Sequence, residues 1–127
     1  MFLCVFSTSM VLAQSTIDVK ALFPDKEFDN VFVKKIYSDT NTTSFVIWVK
    51  NEVKSHKHLT HTETIQILEG TAEMTIDKKI IEIKADDFFI IPQNTFHAVK
   101  VTSTTPLKLI SIQSPYFNGD DRIFEEK

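Results

Sequence analysis

The sequence predicts an all-β, single-domain protein folded as an antiparallel sandwich or barrel. Short β-branched and aromatic runs recur along the chain with turn residues between them, and nothing of comparable length carries a 3.6-residue period. At 127 residues with 43% hydrophobic content, the chain makes one domain with enough apolar side chains for a core.

Taken in order, the first thirteen residues, MFLCVFSTSMVLA, carry no charge, and the run is too short to span a bilayer. VLA before Gln14 has the small-residue spacing that signal peptidase accepts. A buried N-terminal strand is the competing reading, favoured by the absence of a basic residue ahead of the run. The leader reading is preferred, so residues 1–13 are expected to be removed and the protein exported to the periplasm or secreted; an uncleaved chain would stay in the cytoplasm. Cleavage would remove Cys4, the chain's single cysteine, and leave no disulfide or thiolate chemistry. Residues 14–39 are expected to form an arm and the first strand, and residues 40–127 the main domain. Within the arm, 14–30 reads as an extended segment with one helical turn.

The strand runs are VFVKKIY at 31–37, SFVIWVK at 44–50, ETIQIL at 63–68, TAEMTI at 71–76, IIEIK at 80–84, FFIIP at 88–92, FHAVKV at 96–101 and LKLISIQ at 107–113. The count alone does not choose between a sandwich and a barrel.

Side chains alternate faces along a strand, so each polar residue can be placed by its neighbours. Glu63 shares parity with Ile65 and Ile67, and His97 with Val99 and Val101, so both are predicted to point into the core. A carboxylate left charged among isoleucines without partners would cost several kcal/mol, about the stability of a whole domain. No Lys or Arg lies in phase on those inward faces. The histidines are therefore the expected companions, with a metal ion between them. His56 and His58 stand two apart and project from one face of a strand, and a turn or bulge through Leu59–Thr62 brings Glu63 into the same phase.

Each of these elements is weak alone. An isolated H-x-H is more often solvated surface, a single core histidine usually bonds a backbone carbonyl, and a lone glutamate is more often a strand-edge charge. The combination H-x-H, four residues, Glu, six residues, Gly has a chance frequency below about one in a thousand such chains at ordinary residue usage. A metal site at His56, His58, Glu63 and His97 is the stronger reading.

The pattern resembles the cupins. Their first motif, H-x-H, three or four residues, Glu, six residues, Gly, reads here His56-Lys57-His58, LTHT, Glu63, TIQILE, Gly70. Their second, Gly, five residues, Pro-x-Gly, two residues, His, reads Asp86, DFFII, Pro92-Gln93-Asn94, TF, His97. The resemblance covers about residues 40–113 and implies a small jelly-roll β-barrel with the metal held inside by His56, His58, Glu63 and His97. Asp86 and Asn94 replace both glycines of the second motif. Asn and Asp tolerate positive φ better than other non-glycine residues, so the turns are expected to survive. Cupins often pair through strands near the N-terminus, and the arm at 14–30 is the expected contact of a homodimer. His61 has no place among the family's ligands and is expected to face solvent, in preference to acting as a proton carrier at the barrel mouth.

Three imidazoles and a carboxylate suit Fe, Mn, Zn, Ni or Cu. Residues such as Phe45, Phe89 and Ile91, with Trp48 and Gln113, are expected around the ion, a lining suited to a small, partly apolar ligand. No nucleophile with a matched base and no phosphate-binding glycine loop is present. With a formal net charge of -3 and scattered Lys and Arg, no basic stripe is available for nucleic acid. A metal-dependent enzyme of dioxygenase or isomerase type, a module binding a sugar or carboxylate, and a dimerisation unit with an incidental ion all fit this pattern.

Overall fold

The computed structural model describes residues 16–126. The expected leader at 1–13, with Cys4, lies outside the described residues. Ten strands follow a 3-10 turn at Val19–Ala21: β1 Val31–Ser38, β2 Thr43–Val49, β3 Glu52–Lys57, β4 Thr62–Glu69, β5 Thr71–Ile76, β6 Lys79–Lys84, β7 Phe88–Ile91, β8 His97–Val101, β9 Leu107–Ser114 and β10 Ile123–Phe124. All eight expected runs are strands, with ends shifted by at most one residue. Among the described residues no helix is long and apolar enough to cross a membrane.

The strands form two five-stranded antiparallel sheets, in the orders β1-β2-β9-β4-β7 and β10-β3-β8-β5-β6. From β2 to β10 the chain passes repeatedly from one sheet to the other, which is the jelly-roll arrangement. The two sheets face each other without closing into a continuous cylinder.

The inward rows change character along their length. On β4 the inward residues run Glu63, Ile65, Ile67; on β8 His97, Val99; on β9 Leu107, Leu109, Ser111, Gln113. The antiparallel register sets Glu63 opposite Gln113, Ile65 opposite Ser111, and His56 of β3 opposite His97 of β8. All the polar ends therefore gather at one end of the sandwich. The other end is an aliphatic core in which Ile67, Met74, Val49 and Leu107 are fully buried, each such side chain contributing about 1.5–3 kcal/mol.

Gly70 makes the turn from β4 to β5 at φ +84, and a Cβ there would come within 3.0 Å of the Leu107 backbone. Asp86 and Asn94, which replace the second motif's glycines, also lie at positive φ, 73 and 59. The turns keep the conformation for which glycine would be preferred, as the sequence led us to expect.

The outer face of the first sheet is also covered. Val19, Leu22 and Phe28 from the arm pack on Phe32, Val46 and Trp48. Beneath them Lys108 is only 1% exposed, with Nζ donating to the carbonyls of Lys20 and Leu22 at 2.8 and 2.9 Å and lying 3.5 Å from Glu69 Oε1. Trp48 belongs to this outer core, so the expectation that it borders the ion is corrected: its parity places it on the face opposite Phe45 and Ile47.

Candidate metal centre

His56 ends the inward row of β3, and a register irregularity between Val53 and His56 sets it opposite His97. His58 lies just past the end of β3, and the Leu59–His61 loop restores the phase so that Glu63 enters from β4. Donors thus come from both sheets: His56 and His97 from the second, Glu63 from the first, and His58 from the connection between them. All four are buried. Ligand atoms of His56, His58 and His97 lie within 4.8 Å of one another, and Glu63 Oε2 is 3.2 Å from His97 Nε2 and 3.5 Å from His58 Nε2.

The imidazoles are oriented from behind. His56 Nδ1 donates to the carbonyl of Lys54 at 2.8 Å, His97 Nδ1 to that of Thr95 at 3.0 Å, and His58 Nδ1 to that of Asp121. With Nδ1 engaged, each ring turns its Nε2 lone pair inward, the arrangement that fixes the tautomer of a metal-ligating histidine. His97 Nε2 is buried without a hydrogen-bond donor or acceptor of proper geometry. A buried ring nitrogen in that state requires a partner, and a cation between three imidazoles and a carboxylate supplies one. The residues present therefore fit a divalent ion.

The electrostatics agree. Burial, then the neighbouring His97, with Arg122 and His58 adding to them, pushes His56 down to about 4, so it is a neutral donor at physiological pH. Burial alone would push Glu63 up, but the close His58 and His97 imidazoles and the Ser111 hydroxyl outweigh it and hold the carboxyl well below the usual range. Burial disfavours the charged form of His58 too, yet Glu63 and the Asp121 carbonyl raise it above the ordinary histidine value.

A cavity of about 500 Å³ opens beside these donors. Phe45 and Gln113 line it, as expected. Phe89 and Ile91 do not: Ile91 is buried in the aliphatic core and Phe89 packs against that core, because β7 is the sheet's outer edge and pairs beyond β4. Val33, Ile47, Val53 and Leu109 supply the apolar wall in their place.

His61 is not solvent-facing; that expectation is corrected. It is buried, with Nδ1 2.6 Å from Asp121 Oδ2, Nε2 donating toward the Tyr116 carbonyl at 2.9 Å, and its ring edge-on to Phe117. The 115–124 segment crosses the end of the sandwich and carries Tyr116, Phe117, Asn118 and Arg122 to the cavity. Phe117 also meets His58 and Phe45 edge-on. Sequence reasoning did not find this segment, because FNGDDR has no periodicity to place it. Ser111, which donates to Glu63 Oε1, was discoverable, since it shares parity with Leu107 and Leu109.

Three comparisons place the chain among known proteins. An uncharacterized protein of Aquifex aeolicus is 26% identical over 108 residues, covering 84% of this chain and 88% of that one. Quercetin 2,3-dioxygenase of Bacillus subtilis is 32% identical over 74 residues, 54% of this chain but only 22% of the dioxygenase. A Klebsiella pneumoniae protein with a double-stranded β-helix domain superposes with a TM-score of 0.73 at 18% identity, over 90% of this chain and 99% of that one, which shows a common fold. Residues 44–113, which hold both motifs and all four candidate donors, match the cupin domain family Cupin_2, and the chain belongs to that family.

Proposed function

We propose that this cupin holds a divalent ion, of Fe, Mn, Zn, Ni or Cu type, through His56, His58, Glu63 and His97, and binds a small, partly apolar organic ligand beside it. The observation that carries the reading is the inward convergence of three Nε2 atoms, each with its Nδ1 occupied by a backbone carbonyl, around a buried carboxylate. When bound, such an ion supplies Lewis acidity to an oxygen placed against it. The protein's own groups orient the donors, exclude bulk water with Phe45 and Phe117, and leave the cavity side open.

That open side also supports an enzymatic reading, a metal-dependent oxidoreductase or isomerase, over a purely structural ion. A structural site is normally closed by its protein ligands, whereas this one borders a cavity of ligand size. Consumption of a bound compound, with or without dioxygen uptake, separates enzyme from binding module.

The test is elemental analysis of protein purified without chelating resin, beside Glu63→Gln and His97→Ala. Near-stoichiometric metal in the wild type, lost or strongly reduced in both folded variants, is the expected result. Equal metal content in all three overturns the ligand set. A homodimer through the arm and export of the mature chain are separate proposals, read by light scattering and by N-terminal sequencing of the protein recovered from its source.

A further inference from the structure

The rim of the cavity carries a charge for which the metal reading has no use. Arg122 is the chain's single arginine and lines the cavity with Tyr116 and Asn118. Its two acidic neighbours are engaged elsewhere: Asp120 accepts from Asn118, and the Asp121 carboxylate is turned to Leu59, Thr60 and His61. Among the described residues no carboxylate pairs with the guanidinium. Lys35 adds a second cation to the lining. A divalent ion with three neutral imidazoles and one carboxylate leaves the inner end with a net positive charge. Arg122 and Lys35 are both exposed at the mouth; with the ion they make the field over the cavity positive, which attracts an anion into it.

A second observation lies deeper. Gln113 is 3% exposed and lines the cavity, with Nε2 3.3 Å from His58 Nε2 and Oε1 without a partner. A buried acceptor left open beside the candidate ion requires a donor from whatever occupies the cavity. The apolar part of the lining is Val33, Phe45, Ile47, Val53 and Leu109. A polyhydroxylated sugar would lose water at each hydroxyl against that wall without a compensating hydrogen bond.

We propose that the cavity selects a small organic acid with an apolar body, its hydroxyl set beside the ion and Gln113 and its carboxylate on Arg122, which is the specificity-determining residue. The proposal rests on the metal reading above and names its ligand class. The guanidinium fork matches a carboxylate in two parallel hydrogen bonds, which a lysine does not reproduce.

The test uses zinc-loaded full-length protein and calorimetric titration with para-hydroxybenzoate and para-hydroxyphenylpropionate, two spacings of the same two groups. Each is compared with its amide and with the acid lacking the hydroxyl. The better-fitting acid is expected to bind about tenfold or more tightly than its amide, a ratio near one in Arg122→Gln and intermediate in Arg122→Lys. Loss of the hydroxyl is expected to weaken binding several-fold in the wild type and not in Gln113→Met. Zinc content is measured on every sample. A wild type that holds no zinc overturns the metal reading and this proposal with it. Zinc held, but with neither acid bound, acid and amide bound equally, or the acid preference intact in Arg122→Gln, overturns this proposal alone.

Discussion

Asp121 Oδ2 lies 2.6 Å from His61 Nδ1, and the backbone carbonyl of the same aspartate accepts from His58 Nδ1. One residue thus fixes the loop after β3 and the orientation of a candidate metal ligand. Its carboxylate also accepts from the Leu59 and Thr60 amides and from the Thr60 hydroxyl; burial would push the acid up, but His61 first, and then these Thr60 and Leu59 bonds, hold it well below the usual carboxylate range.

Asp121→Ala is therefore expected to cost about 1–2 kcal/mol of stability, chiefly because it leaves the buried His61 imidazole without its acceptor. It should also weaken metal binding about tenfold through His58, the scale seen when a ligand's outer partner is disturbed. Urea denaturation of stripped protein and competitive metal titration measure the two separately. Unchanged metal affinity would show that the Asp121 carbonyl does not depend on the carboxylate's anchoring.

Metal uptake is expected to release a proton from His58 and none from His56 near neutral pH. His58 is raised above its ordinary value by Glu63, so it must be deprotonated on binding; His56, pushed down to about 4, is already neutral. Affinity should accordingly fall as pH drops from 7.5 to 5. Calorimetry in buffers of different ionisation enthalpy counts the protons, and a pH-independent affinity would contradict the donor set.

The metal-free protein carries an opposing pair of effects. A histidine depressed in the folded state stabilises above its unfolded value near 6.5, and that contribution is lost as pH falls toward 4, about 3 kcal/mol from His56. His58, raised in the folded state, stabilises below 6.5 and loses that contribution as pH rises. Stripped His56→Gln protein should hold its thermal midpoint better than stripped wild type between pH 6.5 and 4. A parallel decline in both would assign the acid sensitivity elsewhere.

Lys108→Met is expected to loosen the arm. Its ammonium group holds the Lys20 and Leu22 carbonyls against the first sheet, and methionine keeps the stem's packing but not the donors. A loss of about 1–3 kcal/mol and faster proteolysis within residues 16–30 are expected, with metal content unchanged. Proteolysis as slow as in the wild type would assign the arm's attachment to Leu22 and Phe28 packing alone.

Asn94→Gly is expected to be neutral or to stabilise by a few tenths of a kcal/mol, whereas Asn94→Val should cost about 1–2 kcal/mol. Only the second forces a β-branched residue into positive φ. Gly70→Ala should cost more than Asn94→Gly, since its Cβ would also press on the Leu107 backbone at 3.0 Å. Thermal midpoints rank the three.

The fold and the inward faces of the candidate donors were legible because both are written in a period of two. Glu63 among isoleucines and His97 among valines announce their faces, and both are buried where that parity puts them. β3 was harder to see as a strand: NEVKSHK is polar on its outer face and irregular between Val53 and His56, so its alternation is broken. Lys108 was illegible for a different reason. Its burial depends on the arm, which packs on the outer face through contacts more than eighty residues apart. His61 and Asp121 meet across sixty positions by a loop-to-loop contact that has no periodic signature.

The 115–124 segment separates two kinds of inheritance within one small domain. Three of the four candidate donors, His56, Glu63 and His97, sit on strands whose register is fixed by the aliphatic core, so they tolerate little change. Tyr116, Phe117 and Arg122 arrive on a single stretch anchored by Asp121 and the short β10 pairing. Away from Asp121, which orients His58, substitutions there alter what the cavity admits while leaving the strand-borne histidines and the hydrophobic interior in place, so a new ligand preference can be acquired by editing a strap instead of redesigning a sandwich.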